Sequence, residues 1–135
     1  MTINEYQKLA LRTEAPIELY RNPTAATMAF VTLGAITNPE DNLSSVRLLE
    51  GLMGLNGEAG EAMDILKKVL FQGHKLDREH VALELGDIAW YLALAADAIG
   101  YDLESIFKKN IDKLKARYPD GFEIEKSQNR REDDI

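Results

Sequence analysis

Prolines stand only at positions 16, 23, 39 and 119, so the whole stretch from Glu40 to Tyr118 is free of the residue that breaks helices. Within it, apolar side chains recur in steps of three and four, the period of a helix face rather than of a strand. Leu48, Leu52, Leu55, Ala59, Ala62, Leu66 and Val69 form one stripe, which predicts a helix of about 30 residues stopping near Gly73. After a Gly73-His74-Lys75-Leu76 loop, Asp77 is a good N-cap, and Val81, Leu85, Ile88, Leu92, Ala96 and Ile99 make a second stripe ending at Gly100. Asp102 caps a third helix with Phe107, Ile111, Leu114 and Tyr118 as its buried edge, closed by Pro119-Asp120-Gly121.

Upstream, Thr2-Ile3-Asn4-Glu5 has the spacing of a capping box and predicts a first helix to about Glu14, ended by Pro16. Thr24 to Ile36 reads as a short helix on the core, with Asn38-Pro39 as a turn. The expectation is an all-α helical bundle of about four to five helices, one domain over 1–122 followed by a polar, flexible tail over 123–135.

Apolar residues make up 45% and charged residues 29% of the 135, a composition that folds rather than stays disordered. With no cysteine, thiolate metal sites and disulfides are excluded, and His74 and His80 alone are too few for structural zinc. A net charge of −7 argues against a nucleic-acid polymer as partner, because binding to phosphate chains depends on Lys and Arg. It leaves room for a small phosphorylated ligand where cations reverse the local field. The opening residues lack the basic start and apolar run of a signal peptide. Ala25 to Ile36 falls well short of the roughly 20 apolar residues that span a bilayer, so a cytoplasmic protein with no membrane partner is expected.

Against this helical background, two carboxylate pairs stand out: Glu58-Ala-Gly-Glu61 and Glu84-Leu-Gly-Asp87. Residues three apart share a helix face with Cβ atoms about 5–6 Å apart, so each pair aims two carboxylates at one spot. Each pair borders its core stripe, and a short connection makes the two helices antiparallel neighbours, so the pairs can face each other. Four carboxylates in one volume repel unless a hard cation lies between them. A single such pair is usually a solvated flank; two matched pairs favour a divalent metal.

Gly51, Gly54, Gly57 and Gly60 recur every third residue of the same helix, each costing about 0.5–1 kcal/mol against alanine. Tight helix packing and close approach of a ligand both explain such a series, and the two are compatible. On the third helix Asn110, Lys113 and Arg117 fall on one strip suited to phosphate oxygens, although a basic face near a helix C-terminus is also ordinary. Trp90 and Tyr91 lie one turn beyond Asp87 and could stack on a base or sugar, Trp90 being the candidate, although aromatic residues at this spacing are more often core. Asp77-x-x-His80 falls short of the Glu-x-x-His repeats of di-iron bundles, which sets oxidative iron chemistry aside.

Glu58-x-x-Glu61, Glu84-x-x-Asp87 and the closing Asn110-x-x-Lys113-x-x-x-Arg117-Tyr118-Pro119 together resemble the MazG-like branch of the all-α nucleoside triphosphate pyrophosphohydrolases, relatives of the dimeric dUTPases. The likeness runs from about Leu48 to Phe122. It implies a helical bundle assembled as a homodimer or homotetramer, with Glu58, Glu61, Glu84 and Asp87 holding Mg²⁺, or Mn²⁺ in its place. It also implies that Asn110, Lys113, Arg117 and Tyr118 contact phosphates, and that a (d)NTP and water give (d)NMP and pyrophosphate through attack at the α-phosphorus by a metal-activated water. Many members carry a further glutamate just before the first pair, where this chain has Gly57. Deprotonation would then fall to a water on the metal or to one of the ligands, with Glu61 the candidate general base. The alternative is a non-catalytic helical module that binds a metal or docks a protein.

Overall fold

The computed structural model describes residues 1–21, 23–24 and 39–129. Every regular element among them is helical. The short helix expected over Thr24–Ile36 lies, from residue 25 on, outside the described residues, as does Asn38 of the expected turn.

Helix α1 spans Ile3–Ala10 and opens with the capping box expected from its sequence. The Thr2 side chain accepts from the Glu5 N–H at 3.1 Å, and the Thr2 N–H donates to Glu5 at 2.6 Å. The α-helical ladder ends earlier than Glu14, passing at Leu11–Thr13 into a single 3-10 turn. Two contacts fix that turn: the Thr13 hydroxyl donates to Ala10 O at 3.0 Å, and the Trp90 indole N–H reaches both Ala10 O and Thr13 Oγ1 at 2.9 Å. Extended backbone at Glu14 and Pro16 then leads into the one-turn helix α2, Ile17–Tyr20.

Helix α3, Pro39–Gln72, carries the first stripe. Pro39 suits the first turn of a helix, where its missing N–H would have no partner. The helix ends where Gly73 adopts φ +70° and His74 N returns to Lys68 O at 3.2 Å, a left-handed termination that glycine makes without strain. Asp77 then caps helix α4, Arg78–Ala98, by accepting from the His80 N–H at 3.0 Å. Gly100, at φ +73°, turns the chain, and Asp102 caps helix α5, Leu103–Arg117, by accepting from Ser105 N at 2.8 Å. A further short helix, α6, covers Ile124–Gln128.

α3 and α4 form an antiparallel hairpin, the most extensive helix contact among the described residues. One core cluster packs Ala93, Ala96 and Leu103 against Tyr6, Ala10, Leu92 and Ile106, so α1 seals the corner between α4 and α5. Gln7 is buried there and fully used: its amide donates to Tyr101 O at 3.1 Å and its oxygen accepts from Leu103 N at 2.9 Å. The second cluster joins Tyr20 and Val46, with Ala15 and Leu49. Beside it Arg47 binds Glu14 with both ends of its guanidinium and Asp97 at 2.7 Å, tying α3 to α4 and to the α1–α2 connection. Those two carboxylates hold the Arg47 guanidinium firmly protonated, Glu14 being the stronger influence.

The stripes predict the helices, but many of their positions are not covered within the chain. Leu52, Leu66 and Leu85 are exposed, and the α5 edge expected to be buried leaves Phe107, Ile111 and Leu114 between 38% and 48% exposed. A two-helix layer has only one inner surface, and α5 joins the core shared with α1 and α4 through Leu103 and Ile106 near its start. No described helix is long and apolar enough to cross a membrane.

Candidate metal centre

The spacing of the hairpin sets the geometry of the site. An added Cβ on Gly54 would fall 2.1 Å from the Tyr91 ring, and one on Gly51 would fall 2.9 Å from Ala95 N. At these two positions α4 approaches α3 more closely than any side chain allows, which answers half of the glycine series: Gly51 and Gly54 are packing glycines. Gly57 and Gly60 differ, since a Cβ there would meet nothing within 4 Å. They line an open cavity instead.

One turn beyond Gly54 on α3 lies Glu58, and one turn before Tyr91 on α4 lies Asp87, with Glu84 a further turn back. The close crossing therefore gathers one oxygen from each of Glu58, Glu84 and Asp87 so that all lie within 4.8 Å of one another. Glu84 is buried, Glu58 half-buried and Asp87 exposed, so the cluster opens to solvent on the Asp87 side. Glu58 is pushed above the usual carboxyl range, first by loss of solvent and then by the charges of Glu61, Asp87 and Glu84. An all-oxygen, triply anionic set at this separation fits a hard divalent cation, which would relieve that repulsion.

Glu61 stands apart from the trio, one turn along α3 from Glu58. It lines a cavity of about 380 Å³ with Gly57, Gly60, Asp64, Lys68, His80 and Glu84. Glu84 thus borders both places. Within the cavity Lys68 pairs with Asp64 at 2.7 Å, Lys67 pairs with the same carboxylate, and the two, Lys67 foremost, hold Asp64 down at about 2. His80 Nε2 lies 3.0 Å from Glu84 Oε1.

The other candidates are placed as follows. Asn110 and Lys113 stand exposed on α5 without a hydrogen-bond or ion-pair partner among the described residues. The Arg117 guanidinium lies 6.0 Å from the centre of the Tyr118 ring, which in turn meets Phe122 at 5.5 Å. Trp90 has its N–H engaged by the α1 end, as described above, and sets its ring edge-on to Tyr91 at 4.8 Å.

Two phenols stand near the trio, Tyr91, expected from the sequence only as a stacking ring beside Trp90, and Tyr6, not expected there at all. Tyr91 is held above its ordinary value by burial and then by Glu58, Glu50 and Asp87, and Tyr6 by burial and then Asp87. Tyr91 had a legible signal, standing at i+4 from Asp87 opposite a glycine at i−4 from Glu58. Tyr6 had none, because it arrives from α1, where its hydroxyl donates to Gly86 O at 3.4 Å.

The sequence model of the MazG nucleotide pyrophosphohydrolase domain matches residues 48–122, more than half of the chain and all three helices that carry the candidate residues. The chain belongs to the MazG family. The matched span agrees with the resemblance read from the ordered carboxylate and basic motifs. The chain is also similar to the gene 37 protein of Mycobacterium phage L5, 36% identical over 77 residues that cover 51% of this chain and 68% of that protein. No solved structure matches. Membership supports a hydrolase acting on nucleotides, and the acidic trio gives such a MazG domain a place for a metal.

Proposed function

We propose that this MazG protein is a Mg²⁺-dependent pyrophosphohydrolase that cuts a (d)NTP between its α- and β-phosphates, giving (d)NMP and pyrophosphate. The observation that carries the reading is the convergence of Glu58, Glu84 and Asp87 within 4.8 Å, beside a cavity that holds a further carboxylate, Glu61.

Glu58, Glu84 and Asp87 would hold the ion, with Mn²⁺ as a substitute, and Glu61, one turn along α3 and with its charge acting on Glu58, would complete the ligand set by turning toward them. When bound, Mg²⁺ supplies neutralisation of phosphate oxygens and a lowered pKa for a coordinated water. Glu61 acts as general base, taking the proton of the water that attacks the α-phosphorus, since Gly57 offers no carboxylate on the preceding turn. Asn110, Lys113, Arg117 and Tyr118 bind phosphates through an amide, two cations and a phenol. Lys113 and Asn110 are available for this in that neither has a partner among the described residues. Trp90 borders the base or sugar through its ring, its N–H being used to fix the α1 end.

A homodimer or homotetramer accounts for the apolar side chains that the hairpin leaves in solvent, among them Leu70 at 64% and Phe71 at 79% exposure. Nucleoside triphosphates as substrates agree with a cytoplasmic location.

Pyrophosphate release from a panel of canonical and modified (d)NTPs tests the reading. Release should require Mg²⁺ or Mn²⁺, stop with chelator, and fall by about 10²-fold or more in Glu61→Gln and Asp87→Asn. Absent release would leave a non-catalytic helical module as the better description, and metal-independent release, or variants equal to wild type, would overturn the role given to these carboxylates.

A further inference from the structure

Glu84 is the buried member of the trio, with its side chain about one-tenth exposed, and a buried carboxylate needs a donor to fix its rotamer. The charged groups facing it across the cavity from α3 are Glu61, Asp64 and Lys68. Lys68 is engaged by Asp64 at 2.7 Å, and the other two are acceptors of the wrong sign. The remaining polar group is His80, one turn earlier on α4, whose Nε2 lies in ion-pair contact with Glu84 Oε1 at 3.0 Å. Its position is itself set locally, because the Asp77 carboxylate caps the His80 backbone N–H at 3.0 Å and so fixes the first turn of α4.

We infer that His80 is a positioning residue for the metal centre: by holding Glu84 Oε1 it fixes the carboxylate that meets Glu58 and Asp87. The inference rests on the reading of that trio as a metal site. A ligating carboxylate that is hydrogen-bonded on its far side enters the site already oriented, and loss of such a partner characteristically weakens metal binding about 10–100-fold. Neutral and protonated imidazole can both donate from Nε2, so the role does not depend on the charge of His80.

Mn²⁺ affinity, measured by electron paramagnetic resonance of the free ion and by calorimetry, tests this on the whole chain without turnover. His80→Ala should bind Mn²⁺ about 10–100-fold more weakly than wild type while keeping its helix content, since His80 is exposed and alanine is the best helix former. His80→Gln, which restores an N–H donor within reach of Glu84, should recover most of that loss, a rescue that a general effect on folding would not give. In turnover, the His80→Ala loss should be overcome by raising Mn²⁺, leaving kcat at saturating metal close to wild type. If His80→Ala binds Mn²⁺ as tightly as wild type, or more tightly, His80 merely neutralises Glu84 when no ion is bound and the inference is overturned. Should wild type bind no Mn²⁺ at all, the metal-centre reading falls and this one with it.

Discussion

The four glycines of α3 look alike in sequence and do opposite things. Gly54 has the Tyr91 ring where its Cβ would be, and Gly57 and Gly60 have empty space. Gly54→Ala forces an aromatic ring against its own helix and should cost about 1–3 kcal/mol in urea unfolding. Gly57→Ala and Gly60→Ala, with room for the methyl, should each stabilise by about 0.5–1 kcal/mol. The same empty space admits a longer side chain, so Gly57→Glu should fold and, by placing a carboxylate beside the trio, raise kcat rather than abolish it. A drop in kcat with unchanged metal affinity would count against a missing base at that position. Asp64 adds a pH dependence. Its carboxyl is lowered to about 2 from 3.8 by Lys67 and Lys68, so its contribution to stability is present above the unfolded value and is lost as pH falls through the folded one. Asp64→Asn should therefore be less stable than wild type at neutral pH, and the gap should close between about pH 4 and pH 2.

At the level of elements, what could be read ahead of the structure is what is decided within a few residues. Thr2, Asp77 and Asp102 cap helices because their side chains reach a backbone N–H three positions on, and Gly73 and Gly100 turn the chain because they alone tolerate positive φ cheaply. The carboxylate pairs were legible for the same reason, an i, i+3 spacing on a helix. The separation of Glu61 from the trio was not, because it depends on how α3 and α4 pack, closely where Gly51 meets Ala95 and Gly54 meets Tyr91 and openly at Gly57 and Gly60. The early end of α1 was hidden likewise, since the Trp90 N–H that pins the 3-10 turn comes from 77 residues away. Arg47 shows the energetic weight of such distant ties. Arg47→Met leaves Glu14 and Asp97 without their shared cation, and because all three are partly open to water the loss should be about 1–2 kcal/mol, smaller than for a fully buried pair. Glu14 sits between α1 and α2, so proteolysis within residues 11–21 should quicken in this variant before global unfolding does.

The molecule as a whole has a hairpin whose inner surface is closed and whose outer apolar surface is not. Met63, Leu70 and Phe71 on α3 flank a shallow cavity of about 410 Å³ with Gly60, Asp64 and Lys67, directly alongside the cavity that contains Glu61. Each of the three apolar side chains is more than 60% exposed, a pattern that a monomer rarely leaves contiguous. A twofold-related copy would bury the same residues on both partners, and Phe107, Ile111 and Leu114 on α5 offer further apolar surface for it to cover. Light scattering should give a dimer or tetramer for wild type, and Leu70→Asp with Phe71→Asp should shift it to monomer while helix content is kept, because neither side chain belongs to a core cluster within the chain. If phosphate contacts come across that interface, the monomeric variant should retain Mn²⁺ binding at Glu58, Glu84 and Asp87, which lie on a single hairpin, while KM for the nucleotide rises. Retention of both Mn²⁺ binding and KM in the monomeric variant would place the phosphate-binding strip within one chain.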